Sequence, residues 1–188
     1  MTSIALFHSV YGLRPAVLAA AEELRAAGHE VVAPDLFDGP VAQTIEEGFA
    51  LSARVGRAAV MRRAEEAVRD LPADAVLAGL SMGAGVAGDL LAERPHAAGL
   101  LLLNGTGAEG VGVRRGLPVQ AHLGDADTIF PPSYVAGWCA RMAEAGAAVE
   151  LFTYAGVGHF FTDPGAPDHD EAAAELAWQR SLSFLADL

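Results

Sequence analysis

The 188-residue chain contains no lysine and a single cysteine, Cys139. One cysteine excludes an intramolecular disulfide framework and any cysteine-rich zinc site. All twelve basic residues are arginine, and they face 24 Asp and Glu, which leaves a net charge of −12. Acidity of that size speaks against non-specific binding to nucleic acid or to anionic membranes. It reads as a solvated acidic surface. The first arginine is Arg14, so the N-terminus has no basic region ahead of an apolar stretch. Aliphatic runs such as residues 100–103 are far short of the roughly 18 residues a spanning helix needs. The expectation is a soluble cytoplasmic protein.

What the chain has is apolar bulk, with 52% hydrophobic and 19% charged residues. That balance excludes a mainly disordered chain. The length fits one domain of about 100–200 residues, here 1–188. Short apolar runs at 3–8, 30–33, 75–80, 99–103, 119–123 and 149–154 read as strands. Helical periodicity fills the intervals. Pro15 suits the first turn of a helix that Gly28 stops. Val55, Ala58, Met61, Ala64, Val68 and Leu71 form one stripe over 54–71. Further helices are expected at 82–93, 133–145 and 171–186. Residues 37–53 mix turn chemistry with apolar positions and stay ambiguous, and 104–116, with five glycines, reads as a loop. Four of the strands are near-continuous apolar runs, as expected when helices cover both faces of a parallel sheet. The predicted fold class is α/β, a mostly parallel sheet of about six strands with helices on both faces. Ligands on such sheets bind beyond the carboxyl ends of the strands.

Three chemistry-bearing residues fall at that edge. Gly79-Leu80-Ser81-Met82-Gly83 matches G-x-S-x-G, a sharp strand-to-helix turn in which side chains at either glycine would collide with neighbouring backbone. An apolar strand ends at the motif and a helix begins after it. A serine hydroxyl needs a base, and the base an orienting carboxylate, in the chain order Ser, Asp or Glu, His. Asp127 follows the strand at 119–123, with Asp125 as a rival. His159 follows the strand at 149–154, with His8 as the rival base. His29 and His96 read as surface residues, His122 as a packed core residue, and His169 as part of the cap of the last helix. The oxyanion of an acyl-transfer site needs two backbone donors. Met82, after the serine, and Val10, in the loop after the first strand, are the candidates. Cys139 lies mid-helix with no partner nearby and reads as a packed thiol.

Ser9-Val10-Tyr11-Gly12-Leu13, the stretch from Gly28 to Leu36, the Ser81 motif, Gly124 to Pro131, and Gly156 to Phe160 together resemble the dienelactone hydrolase family of α/β-hydrolases, in order and over nearly the whole chain. The resemblance implies catalytic roles for Ser81, Asp127 and His159, with oxyanion donors at Val10 and Met82. Ser9, Tyr11 and Phe160 are the candidate substrate-binding residues. Three departures stand out. Well-known members carry Cys where this chain has Ser81, and Glu where it has Ser9. Their substrate-binding arginine shortly after the histidine is matched by Asp163, of opposite charge. Near the mouth of the site Asp163 would repel the carboxylate of a dienelactone; the alternative is that it starts the Asp163-Pro164-Gly165 turn and faces solvent. The expected activity is hydrolysis of small carboxylic esters, thioesters or lactones, with no metal or organic cofactor. An acyltransferase or lyase using the same residues, or a non-catalytic binding module, is the alternative. Residues 37–53 and 104–116 are the segments able to roof the site.

Overall fold

The apolar runs pair into a single six-stranded sheet: β1 (Ser3–Phe7), β2 (Glu30–Val32), β3 (Val76–Leu80), β4 (Leu100–Leu103), β5 (Pro118–Gly124) and β6 (Ala148–Tyr154). The computed structural model describes residues 1–107 and 109–188. The expected loop at 104–116 therefore includes one residue, Ala108, outside the described set. Every ladder is parallel, in the order β2-β1-β3-β4-β5-β6. From β1 the chain moves outward to β2 and then returns to the other side for β3. The strand order thus reverses at β1 and β3, and a crevice opens beyond their carboxyl ends.

Alternation along the strands divides the core in two. Ala5, Phe7, Leu77, Leu100, Leu102, Val119 and Ala121 face one side. There they meet α3 (Arg57–Val68) through Val60 and Ala64, α4 (Met82–Asp89) through Ala84 and Ala87, and α5 (Pro132–Glu144) through Trp138. Ile4, Leu6, Val76, Ala78, Leu101 and Leu103 face the other side. They pack on α1 (Pro15–Ala26) through Val17, Ala21 and Leu24, and on α6 (Glu171–Ala186) through Leu185. Both faces are covered, which is why these strands carry so little polar alternation.

Four local features differ from the sequence expectations. The ambiguous segment contributes α2 (Ile45–Val55), whose Thr44 side chain accepts the Glu47 N–H at 3.2 Å as an N-cap. The helix expected over 54–71 starts only at Arg57. Gly56, at φ +82°, ends α2 and begins α3, so Arg54 and Val55 belong to the preceding helix. The helix expected over 82–93 gives way after Asp89 to a 3₁₀ turn, Leu90–Ala92. In α6 the N-cap is Asp170, which accepts the Ala173 N–H at 2.9 Å. The neighbouring His169 instead bonds the Phe161 carbonyl through Nδ1. No helix among the described residues is long and apolar enough to cross a membrane.

Candidate active site

Ser81 occupies the turn between β3 and α4 with φ +52°, a conformation L-residues rarely adopt. Its glycine neighbours explain how the turn closes. A Cβ at Gly79 would sit 2.1 Å from the Gly83 carbonyl oxygen, and one at Gly83 would sit 2.1 Å from that of Phe7. The turn is therefore pressed against the end of β1, which leads directly into the Ser9–Tyr11 loop. Gly124, closing β5, performs the same service further along. A Cβ there would lie 2.2 Å from the Val157 carbonyl oxygen, so the loop carrying Asp127 rests on the loop carrying His159.

These three loops bring Ser81, His159 and Asp127 into one hydrogen-bonded line. Ser81 Oγ lies 2.8 Å from His159 Nε2, and His159 Nδ1 lies 2.7 Å from Asp127 Oδ2. All three side chains are buried. The other Asp127 oxygen accepts the N–H groups of Ile129 (2.7 Å) and Phe130 (3.0 Å). Burial alone would raise the Asp127 carboxyl. The His159 hydrogen bond, followed by the Phe130 bond, the His159 charge and the Ile129 bond, outweighs burial and holds the group below its ordinary value. The ring of His159 is walled by Phe160, edge-on at 4.3 Å, and by Phe130, stacked at 5.6 Å.

The rival residues are engaged elsewhere. His8 is fully buried; its Nε2 accepts the Leu36 N–H, its Nδ1 meets the Ser9 carbonyl, and burial lowers its pKa. Asp125 accepts the Gly156 N–H at 2.6 Å on the exposed side of its loop. His122 lies in the core under α6, between the Tyr154 hydroxyl (2.8 Å) and Gln120 Oε1 (2.9 Å). His29 is half-buried and His96 exposed.

Val10 is buried beside Tyr11, and Met82 opens α4. Neither N–H donates to a protein acceptor among the described residues. Tyr11 and Phe160 pack edge to face at 4.8 Å and line a cavity of about 680 Å³ that ends on His159. Ser9 accepts the Tyr11 N–H through its hydroxyl at 3.2 Å. It borders a different cavity, about 550 Å³, between α1 and α6. Residues 43–49 supply one wall of the His159 cavity, including Ile45 and the half-exposed Phe49 from α2. Ile129 supplies part of another wall. Among the described residues the carboxylates on the cavity wall are Glu46 and Asp168, and no arginine lines it.

Asp163 corrects an expectation. It does not face the mouth of the site as a free charge, nor does it face solvent. It is buried and paired with Arg14, and its other oxygen accepts the Gly165 N–H at 2.9 Å. Sequence reasoning gave no site role to Arg14, Phe130, Glu46 or Asp168, and reached Phe49 only as an apolar position of the 37–53 segment able to roof the site. Of these, the α2 residues had a readable signal in Thr44-Ile45-Glu46-Glu47, a helix-start pattern. Among the described residues there is no group of three or more His, Cys, Asp or Glu able to hold a metal ion.

A parallel sheet with serine at the turn after β3, an acid after β5 and a histidine after β6 is the architecture of the α/β-hydrolases. The chain belongs to the dienelactone hydrolase family, whose sequence profile matches residues 1–188, and is by class a hydrolase. No curated protein matches it. Solved structures share its fold at low identity. A Klebsiella pneumoniae protein provisionally assigned as a dienelactone hydrolase superposes with a TM-score of 0.83 at 18% identity, over 100% of this chain and 88% of the other. A dienelactone hydrolase-like promiscuous phosphotriesterase from metagenomic libraries gives 0.83 at 16% identity, over 100% and 87%. A thermophilic esterase from the planctomycete Thermogutta terrifontis, with propionate bound, gives 0.72 at 20% identity, over 99% and 83%.

Proposed function

We propose that the chain is a serine hydrolase of small, uncharged carboxylic esters, thioesters or lactones. The observation that carries this reading is the unbroken line from Ser81 Oγ through the His159 ring to Asp127. With Asp127 accepting from Nδ1–H, the Nε2 lone pair faces the serine hydroxyl. Ser81 Oγ attacks the acyl carbon and its proton passes to Nε2. The N–H groups of Val10 and Met82 bind the oxyanion of the tetrahedral intermediate. The protonated His159 then gives its proton to the departing alcohol or thiol, leaving Ser81 acylated. Water, deprotonated by Nε2, attacks the acyl group, and collapse of the second tetrahedral intermediate frees the acid and restores Ser81. Every step uses side chains and backbone of this chain and one water.

The preference for uncharged substrates rests on the lining of the cavity. Its apolar wall suits an acyl or aryl group, while Glu46 and Asp168 offer a carboxylate no partner. The nearby Arg14 is held by Asp163. Steady-state hydrolysis of a panel of aryl esters, thioesters and lactones by wild type and Ser81→Ala tests the reading. Turnover of at least one neutral substrate that disappears in folded Ser81→Ala supports it. Equal turnover by the two proteins contradicts it.

A further inference from the structure

The loop bearing Val10 and the loop bearing His159 meet through one buried ion pair, Arg14–Asp163. The two residues are 149 positions apart in sequence. Their side chains are 10% and 7% exposed. Each is fixed in its own loop. Arg14 stands at the N-cap of α1, its N–H bonded to the Gly12 carbonyl. Asp163 closes a turn, its N–H bonded to the Phe160 carbonyl and its Oδ1 holding the Gly165 N–H. Among the described residues this is the only hydrogen-bonded link between residues 8–14 and residues 155–170.

The pair is continued by stacked rings. The Arg14 guanidinium lies over the Tyr11 ring at 3.9 Å. Tyr11 meets Phe160 edge to face at 4.8 Å, and Phe160 meets the His159 ring at 4.3 Å. Arg14 is thus tied to the His159 loop twice, by charge through Asp163 and by packing through Tyr11 and Phe160. A planar cation that both pairs with a carboxylate and covers a ring is a task for arginine rather than lysine.

The geometry points to the Arg14–Asp163 pair as a positioning clamp that fixes the Val10 N–H relative to His159. This rests on the catalytic reading given above. Neither residue touches the reacting atoms. The clamp sets the distance between the group that binds the oxyanion and the group that moves the proton. Both are needed together only in the transition state, so its loss falls on kcat rather than on KM.

The test uses the full-length protein and three variants. Asp163→Asn keeps an oxygen for the Gly165 N–H and removes the charge. Arg14→Lys keeps the charge and removes the planar contact with Tyr11. The double variant Arg14→Gln/Asp163→Asn leaves no unpaired buried charge and serves where a single variant does not fold. With a neutral aryl ester, well below each melting temperature, kcat falls about 10- to 10²-fold in Asp163→Asn and in the double variant, with KM within about threefold. Arg14→Lys lies between these and wild type. In substrate-free, nitrogen-15-labelled protein the His159 ring signals move in Asp163→Asn. Wild-type kcat and unmoved ring signals in a folded Asp163→Asn or double variant overturn the clamp, as does a lowered melting temperature with kcat intact. Failure of the catalytic reading has a different signature: wild type neither hydrolyses esters nor reacts with a phosphonate, while the ring signals still report on the clamp.

Discussion

Replacing Asp127 with Asn separates the role of its charge from that of its shape. In the native site one carboxylate oxygen is held by two backbone N–H groups, at 2.7 and 3.0 Å, and the other accepts from His159 Nδ1 at 2.7 Å. An amide has only one oxygen. If it stays with Ile129 and Phe130, the amide NH₂ faces Nδ1, which must then become an acceptor. The ring proton moves to Nε2 and points at Ser81 Oγ, so the base loses the lone pair it needs. The opposite amide orientation turns the NH₂ towards two backbone donors and forfeits two hydrogen bonds, each worth about 1 kcal/mol or more. The unproductive tautomer therefore prevails, and the charge that stabilises the imidazolium is gone as well. The expected loss is about 10⁴-fold in kcat, or about 5.5 kcal/mol of barrier. The backbone bonds survive in the variant, so its fold should persist. The assay is steady-state hydrolysis of a neutral aryl ester, with circular dichroism confirming the fold and Asp125→Asn as control. The Asp125 oxygen that holds the Gly156 N–H has an amide equivalent, so that control should keep near-wild-type activity. Folded Asp127→Asn within about tenfold of wild type would refute the reasoning, as would a crippled Asp125→Asn.

Two further predictions follow from charge and burial. With Glu46 and Asp168 as the charged lining of the His159 cavity, a neutral ester should be hydrolysed roughly fivefold faster, by kcat/KM, than its matched carboxylate-bearing analogue. Glu46→Gln and added salt should each narrow that ratio, and a ratio of one in wild type would remove the basis. Burial, followed by the Arg180 charge, lowers the His122 pKa from 6.5 to about 3 in the folded protein. As pH falls below about 6.5 the unfolded chain takes up this proton first, so stability should decline between about pH 6.5 and about pH 3. The share due to His122 is on the order of a few kcal/mol. Urea unfolding at pH 7 and pH 4 should show a smaller drop for His122→Gln than for wild type; an equal drop would assign the acid sensitivity elsewhere.

The sheet was legible because its four inner strands, β1, β3, β4 and β5, are buried on both faces and read largely as apolar runs. The 171–186 helix was legible to the residue from the alignment of Ala174, Trp178, Leu182 and Leu185, although its cap is Asp170 rather than the expected His169. Gly56 was not: the apolar stripe ran through it from Val55 to Ala58, and nothing local signals φ +82°. The meeting of Ser81, Asp127 and His159 could be anticipated because a parallel sheet delivers all its strand ends to one edge. The fate of Asp163 could not. Its partner Arg14 lies 149 residues away, and a turn motif such as Asp163-Pro164-Gly165 looks the same whether its first side chain meets solvent or a buried guanidinium. Local patterns specify elements and turns, whereas the pairing of two loops depends on how the whole sheet stacks them.

The central claim is that Ser81 is a nucleophile activated by His159. An active-site-directed fluorophosphonate, with the adduct located by peptide mass spectrometry, tests it most directly. Wild type should give a stoichiometric adduct on Ser81, Ser81→Ala none, and His159→Ala much slower labelling. An adduct on another residue, or none on Ser81 in folded wild-type protein, would contradict it.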